Sequence, residues 1–293
     1  MPVWLGVILL AFVLIHSIPG GPFDTAVIRP PATTTFLENQ YHLNDPLWKQ
    51  FTYYLGDVLH GDFGESLTRR GLEVSEVIKS RFPRSLILGV AGLFVSLLVG
   101  IPAGLISSVR RNRPTDYSVM VGATLAYAIP NFVLSLLFIL FFGLKLGWFP
   151  LGGWGGPEHV VLPAIALGLP WAGLVARLTR AAMLEVLQED YIRLATAKGL
   201  SPLVVVIRHG FRNALLPLTT VIAILAAELI TGSLIIEVIF GIPGIGQEMV
   251  NSVLASDYTM TLGLVIFYAT IIFVANFLAD VSYAVLDPRI RNG

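Results

Sequence analysis

Residues 85–108 read SLILGVAGLFVSLLVGIPAGLISS, a continuous apolar run without one ionisable side chain. A helix needs about 20 mostly apolar residues to cross the hydrocarbon core of a bilayer, and this run is long enough. It lacks the apolar/polar alternation, in segments of about ten residues, of a membrane barrel strand. A lipid-exposed backbone must satisfy its own hydrogen bonds, so a helix is the expected unit. Outward from it, similar runs lie at 1–18, 118–142, 160–176, 214–236 and 259–285. The run 118–142 carries no charge, 214–236 carries only Glu228, and 259–285 carries only Asp280. The run 160–176 is short and contains Pro163 and Pro170. The expected fold class is therefore all-α, a polytopic membrane protein with six transmembrane helices.

Composition agrees. Hydrophobic residues make up 55% of the 293-residue chain and charged residues 13%, against about 45–50% and about 25% in soluble domains. That balance excludes a soluble enzyme and a disordered chain. The 19 basic and 19 acidic residues cancel, so no basic excess points to a nucleic-acid partner. Cysteine is absent, which excludes disulfides, thiol catalysis and thiolate metal sites. The scattered histidines form no H-E-x-x-H or H-x-x-E-H arrangement, so neither a metal site nor a metalloprotease is expected.

The loops give the orientation. Segment 109–117 holds Arg110, Arg111 and Arg113; segment 177–213 holds Arg177, Arg180, Arg193, Lys198, Arg208 and Arg212; the tail adds Arg289 and Arg291. Opposite them, 143–159 holds only Lys145 and 237–258 holds no Lys or Arg. The positive-inside rule then places both termini and the 109–117 and 177–213 loops in the cytoplasm. The first run has no basic lead, its nearest cation being Arg29. A retained helix is expected there rather than a cleaved signal peptide, and the missing lead points to a longer native N-terminus. The domain reading is a first transmembrane helix at 1–18, an extracytoplasmic helical segment at 19–84, and a five-helix core at 85–293 with a cytoplasmic coupling loop at 177–213. Within 19–84, a turn at Pro19-Gly20-Gly21-Pro22 and a Pro30-Pro31 break precede an aromatic–polar stretch at 36–59. Its rings Tyr41, Trp48, Phe51, Tyr53 and Tyr54 suit a membrane interface. A helical cap over the outer bundle is the favoured reading, with a docking surface as the competitor. Gly61 and Gly64 end the pattern.

The segment 184–217, LEVLQEDYIRLATAKGLSPLVVVIRHGFRNALLP, carries the functional signal. Glu185, Glu189 and Asp190 come early and Arg193 and Lys198 late, the order that a helix dipole favours. Gly199 stands where a helix C-terminus needs positive φ. Ser201 suits an N-cap and Pro202 the first helical position. The reading is helix, glycine hinge, helix, on the cytoplasmic face. Small residues at Ala195, Ala197 and Gly199 would allow entry into a groove on another protein. An amphipathic helix lying on lipid competes on residue pattern alone.

The stretch Asp190-Tyr191-Ile192-Arg193-Leu194-Ala195-Thr196-Ala197-Lys198-Gly199-Leu200 resembles the EAA coupling loop of ABC importer permeases, and most of all their dipeptide/oligopeptide/nickel branch. Four further blocks resemble that branch in the same order: Pro19–Pro22, His60-Gly61-Asp62-Phe63-Gly64, the run from Glu237 through Phe240, Pro243 and Gly244 to Gly246, and Leu286-Asp287-Pro288-Arg289-Ile290-Arg291. Arg193 occupies the place of the general motif's glutamate, Leu216-Pro217 lies farther along than the general Leu-Pro, and Gly21 replaces the usual aspartate. The first two departures look like features of the peptide branch. The resemblance implies a type I ABC importer permease in the cytoplasmic (inner) membrane of a prokaryote. It implies a second, related permease chain, two ABC ATPase subunits carrying ATP and Mg, and an extracytoplasmic solute-binding protein. It implies that Glu189, Asp190, Tyr191, Arg193, Ala195, Ala197, Lys198, Gly199 and Leu200 meet the ATPase. The chain has no G-x-x-x-x-G-K-[ST] phosphate loop, so it is expected to hold no cofactor and to be no enzyme.

Charges in spans are costly and tend to face the bundle interior or water. Glu228 reads either as a translocation-path contact or as a structural hydrogen-bonding group. Asp280 is expected to pair with a loop arginine, and His16 to reach the outer interface. Pro102 and Pro130 are expected to kink their spans. Pro130-Asn131 either opens backbone carbonyls to a path or only shapes packing. Glu237, Phe240, Pro243, Gly244 and Gly246 read as an outer gate loop or a tight turn, and the acids Glu237, Glu248 and Asp257 as a lure for a cation. The alternative function is a gradient-driven secondary transporter using Glu228 as a proton site; a purely structural subunit is the third.

Overall fold

Helices rather than strands satisfy the backbone of so apolar a chain, and the computed structural model is built from them. It describes residues 2–17, 45–69, 71–230 and 234–286. The turn at 19–22, the Pro30-Pro31 break, Tyr41, the ending at 287–291 and the side chain of Asp280 lie outside the described residues. The helices are α1 (Pro2–His16), α2 (Leu47–Leu59), α3 (Val74–Val109), α4 (Pro114–Ala128), α5 (Asn131–Phe138), α6 (Glu158–Val186), α7 (Asp190–Ala197), α8 (Pro202–Val204), α9 (Arg212–Ile230), α10 (Leu234–Ile239), α11 (Ile245–Leu254) and α12 (Tyr258–Leu286). Wider π-type turns occupy Ile139–Lys145 after α5 and Val205–Phe211 before α9. Glu65 and Glu73 form an isolated antiparallel bridge.

The spans differ from expectation in instructive ways. By length and composition, three helical stretches of the described residues can cross a membrane alone: Val74–Val109, Glu158–Val186 and Tyr258–Leu278. Two bent pairs bring the number to five: Pro114–Ala128 with Asn131–Lys145, bent by 98°, and Pro202–Leu215 with Pro217–Ile230, bent by 53°. Val3–Leu14 is apolar but short, so the count of six is not reached on these criteria. The 118–142 run is broken at Ile129–Pro130, since proline disfavours helical backbone in the residue before it. The 85–108 run begins earlier, at Val74, and passes through Pro102 as helix. The 160–176 run extends to Val186 with Pro163 and Pro170 buried inside it. Arg177 and Arg180 therefore stand on a helix, not in a loop.

The chain divides into two compact units, one from 1–83 and 244–273, the other from 84–243 and 274–293. In the first, Ile8 and Ala11 of α1 pack with Val58 of α2 and with Leu262 and Ile266 of α12. Val74, Val77 and Ile78 of α3 pack with Ile245 of α11 and with Met260 and Leu264 of α12. The i, i+3, i+4 spacing on α3 makes one apolar stripe, and α12 offers a different face to each cluster.

In the second unit α6 is the central element. Leu162, Ala166, Leu167 and Val175 of α6 join Leu88 of α3, Leu225 and Leu229 of α9, and Ile236, Phe240 and Ile242. Between lipid-embedded helices the attraction is close packing, and small residues permit it. Gly92, Ser96, Gly100 and Gly104 recur every fourth position along α3. A methyl group on Gly104 would lie 2.5 Å from the Ala176 carbonyl oxygen and 2.6 Å from Thr179 Cβ; one on Gly100 would lie 2.7 Å from the Ala172 oxygen. Backbone thus meets backbone along this seam.

Candidate functional site

The expected 184–200 helix is two elements. Glu185 belongs to α6, the chain turns at Leu187–Glu189, and Asp190 opens α7. Glu189 takes extended backbone as its N-cap residue, and Asp190 places a carboxylate in the first turn, where the dipole favours it. The far end is a Schellman cap: the Gly199 amide donates to the Thr196 oxygen at 3.0 Å and the Leu200 amide to the Ala195 oxygen at 3.4 Å. Gly199 sits at φ +80°, as expected from sequence. Ser201 and Pro202 take the N-cap and first helical positions of α8.

Ile192 and Ala195 are buried against Val205, with Leu187 packed beside them. The other faces point out. Asp190, Arg193, Ala197, Lys198 and Gly199 are exposed, and so are Tyr191 at 39%, Leu194 at 56% and Leu200 at 39%. Leu203 and Ile207 add exposed apolar surface beyond the hinge. Asn213 donates from Nδ2 to the Tyr191 hydroxyl at 2.7 Å, tying α7 to the start of α9. The loop is thus a short helix seated on a small apolar base, with an apolar and charged outer face.

A buried carboxylate that sequence reasoning missed lies in the same unit. Asp116, in the first turn of α4, is 2% exposed and accepts bidentately from Arg180 of α6, Nε and Nη2 each at 2.7 Å. The Asn112 amide donates to it at 2.9 Å, and so does the Ser107 hydroxyl. The tight α3–α4 turn is thereby fastened to α6 ahead of α7. In the sequence Arg180 falls among the cations of the 177–213 loop, and Asp116 gives no signal of its own. Arg177, nearby on α6, has its guanidinium carbon 4.7 Å from the centre of the Tyr127 ring.

The expected path residues take different settings. Pro130 is exposed and Asn131 half-buried at the 98° break. The Pro130 carbonyl already accepts from the Val133 and Leu134 amides at 3.0 and 3.2 Å, so it caps α5 rather than standing open. Glu228 is exposed on α9 while Leu225, Ala227 and Leu229 turn into the core.

The segment from Glu237 to Asp257 is largely helical, α10 and α11 joined by a tight turn. In one unit, Glu237 and Phe240 are buried, the Phe240 oxygen accepts from the Gly153 amide at 2.6 Å, and the Pro243 oxygen accepts from Arg84 at 3.1 Å. In the other, Gly244 is the N-cap residue of α11 and Gly246 is buried in its first turn. The three acids do not form an open cationic lure. All are buried, and Glu248 is paired with Arg69 and with Arg81 at 2.9 Å. Asp257 caps α12, accepting from the Met260 amide at 3.2 Å, the Leu67 amide at 3.1 Å, the Thr68 hydroxyl at 2.9 Å and the Ser66 hydroxyl. Burial pushes its carboxyl up, but these bonds outweigh burial and hold it below its ordinary value. His16 lies against the Phe12 oxygen at 2.8 Å and Gln50 Oε1 at 3.0 Å.

Comparison with known proteins gives one consistent answer. A family model described as binding-protein-dependent transport system inner membrane component matches residues 100–292. The dipeptide transport system permease protein DppB of Bacillus subtilis is 42% identical over 96% of this chain and 92% of its own length. The oligopeptide transport system permease protein OppB of Escherichia coli K12 is 39% identical over 97% of this chain and 94% of its own. Among solved structures, the MetNI methionine ABC transporter matches with TM-score 0.62 at 18% identity, over 72% of this chain and 96% of that one. An amino acid ABC transporter matches with TM-score 0.57 at 14% identity, over 71% and 94%. The last two bear on the fold alone, which is that of type I ABC importer permeases.

Proposed function

The chain belongs to the family of binding-protein-dependent transport system inner membrane components, and from that premise we propose that it is the permease subunit of an ATP-driven importer of di- or oligopeptides. The observation that carries the reading is the 42% identity to a dipeptide permease along 96% of the chain. A second, related permease completes the path, a solute-binding protein delivers substrate outside, and two ATPase subunits bind ATP and Mg inside. Both termini are cytoplasmic.

In this reading α7 is the coupling element. Its exposed Tyr191, Arg193, Leu194 and Lys198 suit a groove with an apolar floor and an acidic rim. Closure of the ATPase dimer on ATP pulls α7 and, through α6 and α9, switches the bundle by rigid-body alternating access. Glu228, which turns away from its own unit's core, fits a surface shared with the path or with the second permease. The gradient-driven carrier gains no support from the relatives.

The test is uptake of a labelled dipeptide by cells that lack their own peptide permeases and express this chain with its partner subunits. Uptake that stops when the ATPase phosphate-loop lysine is replaced supports the proposal. Uptake that survives that replacement and collapses with the proton gradient refutes it.

A further inference from the structure

We propose that Arg177, Tyr127 and Trp171 form a carboxylate-binding station beside the α4–α5 break, where the C-terminal carboxylate of a passing peptide is held. The proposal rests on the peptide-import reading and names a contact within it.

Helices α4 and α6 cross so closely that a methyl group on Gly173 would lie 2.2 Å from the Ala123 oxygen and 3.3 Å from the Tyr127 amide nitrogen. That crossing fixes Tyr127 against α6, three residues before Pro130. Trp171 meets its ring edge-on, centroids 6.4 Å apart and planes at 73°. The Arg177 guanidinium covers the ring at 4.7 Å.

The direction of Arg177 is the unusual feature. Helical side chains lean toward the N-terminus of their helix, which for α6 is Glu158. Arg177 leans that way, onto Tyr127, whose other neighbours on α6 are Trp171 and Gly173. An arginine at a membrane helix end ordinarily extends to the nearer interface. Arg180, one turn on, is matched by Asp116, whereas Arg177 has no carboxylate partner among the described residues. A guanidinium whose carbon lies over an aromatic ring keeps N–H donors that the ring itself does not use. A carboxylate is the group that the guanidinium fork takes bidentately. Tyr127 is 46% exposed, so the chain's own helices do not seal the site. Every linear peptide carries the same terminal carboxylate whatever its side chains, so a permease that accepts many sequences can grip this shared group.

The whole transporter in nanodiscs of phosphatidylcholine with added phosphatidylglycerol, without the binding protein, is titrated with labelled tri-alanine and with tri-alanine amide. The wild type is expected to bind the acid about tenfold more tightly, the size of one charge-assisted contact. R177Q should erase that difference, and R177K, which keeps charge without the fork, should retain part of it. If R177Q does not assemble, Tyr127→Leu replaces it, with discrimination expected to fall several-fold. Equal affinities in the wild type, or discrimination that survives R177Q, overturn the station. Loss of bound anionic lipid in R177Q with acid and amide still discriminated assigns the arginine to a headgroup and also overturns it. Peptide uptake by wild-type cells is scored in parallel: normal uptake without discrimination sinks this inference alone, while absent uptake sinks the import reading.

Discussion

The Asp116–Arg180 pair offers the sharpest quantitative test of how the second unit is held. Asp116 is sealed at 2% exposure, and Arg180 keeps 26%. Removing one member of a buried pair strands the other charge, which typically costs about 3–5 kcal/mol. Asp116→Leu strands a guanidinium that solvent can partly recover and also loses the Ser107 and Asn112 bonds, so its cost falls near the upper bound, about 5 kcal/mol. Arg180→Met strands a carboxylate that is sealed but still receives the Ser107 hydroxyl and the Asn112 amide, which gives about 3 kcal/mol. The double variant strands no charge. It loses only what Ser107 and Asn112 gave to the carboxylate, together about 3 kcal/mol. Additivity would predict about 8 kcal/mol, so the cycle should show a coupling of about 5 kcal/mol. The assay is reversible SDS titration in mixed dodecylmaltoside micelles, followed by helical circular dichroism. Single-variant costs that add to within about 0.5 kcal/mol would refute the claim that this pair acts as one unit.

Three further outcomes follow from the packing and the caps. Gly104→Leu should lower thermal stability in detergent by about 1–3 kcal/mol through overpacking, because its first carbon collides with α6; Gly122→Leu, where a methyl meets nothing within 4 Å, should leave the melting profile unchanged. Gly199→Val has open space around it but sits at φ +80°, so a strain of about 1–2 kcal/mol falls on the α7 cap; peptide uptake should drop sharply while co-purification with the ATPases remains detectable, and normal uptake would remove α7 from the coupling route. Asp257 is held below its ordinary value, so its contribution is complete above about pH 4 and fades as pH falls through its lower folded value; Asp257→Asn should lower the melting temperature at neutral pH and flatten its decline below about pH 4, and an unchanged acid limb would show that the cap carries no such linkage.

What could be read from the sequence was whatever a few neighbouring residues decide. The charge-free run at 85–108 announces a spanning helix by itself. Gly199 announces a C-cap because the left-handed backbone is a local requirement, and the two cap bonds reach only to Thr196 and Ala195. The break at Pro130 follows from proline's effect on the residue before it. The same local logic misreads α6. The apolar run ends at Ala176, where Arg177 begins the charges, yet the helix continues to Val186. Shortening α6 in this way moves Arg177 and Arg180 into a loop, where they become equivalent surface cations. They are not equivalent. Arg180 meets a carboxylate 64 residues away, whereas Arg177 lies over an aromatic ring. One turn of one helix separates an arginine clamped by a carboxylate from one that lies over a ring. That difference arises from where α4 crosses α6, and the crossing is set by Gly173 meeting Ala123. A glycine in an apolar run gives no sign in the sequence of which backbone it will touch, so the partners of both arginines could be known only once the helices were packed.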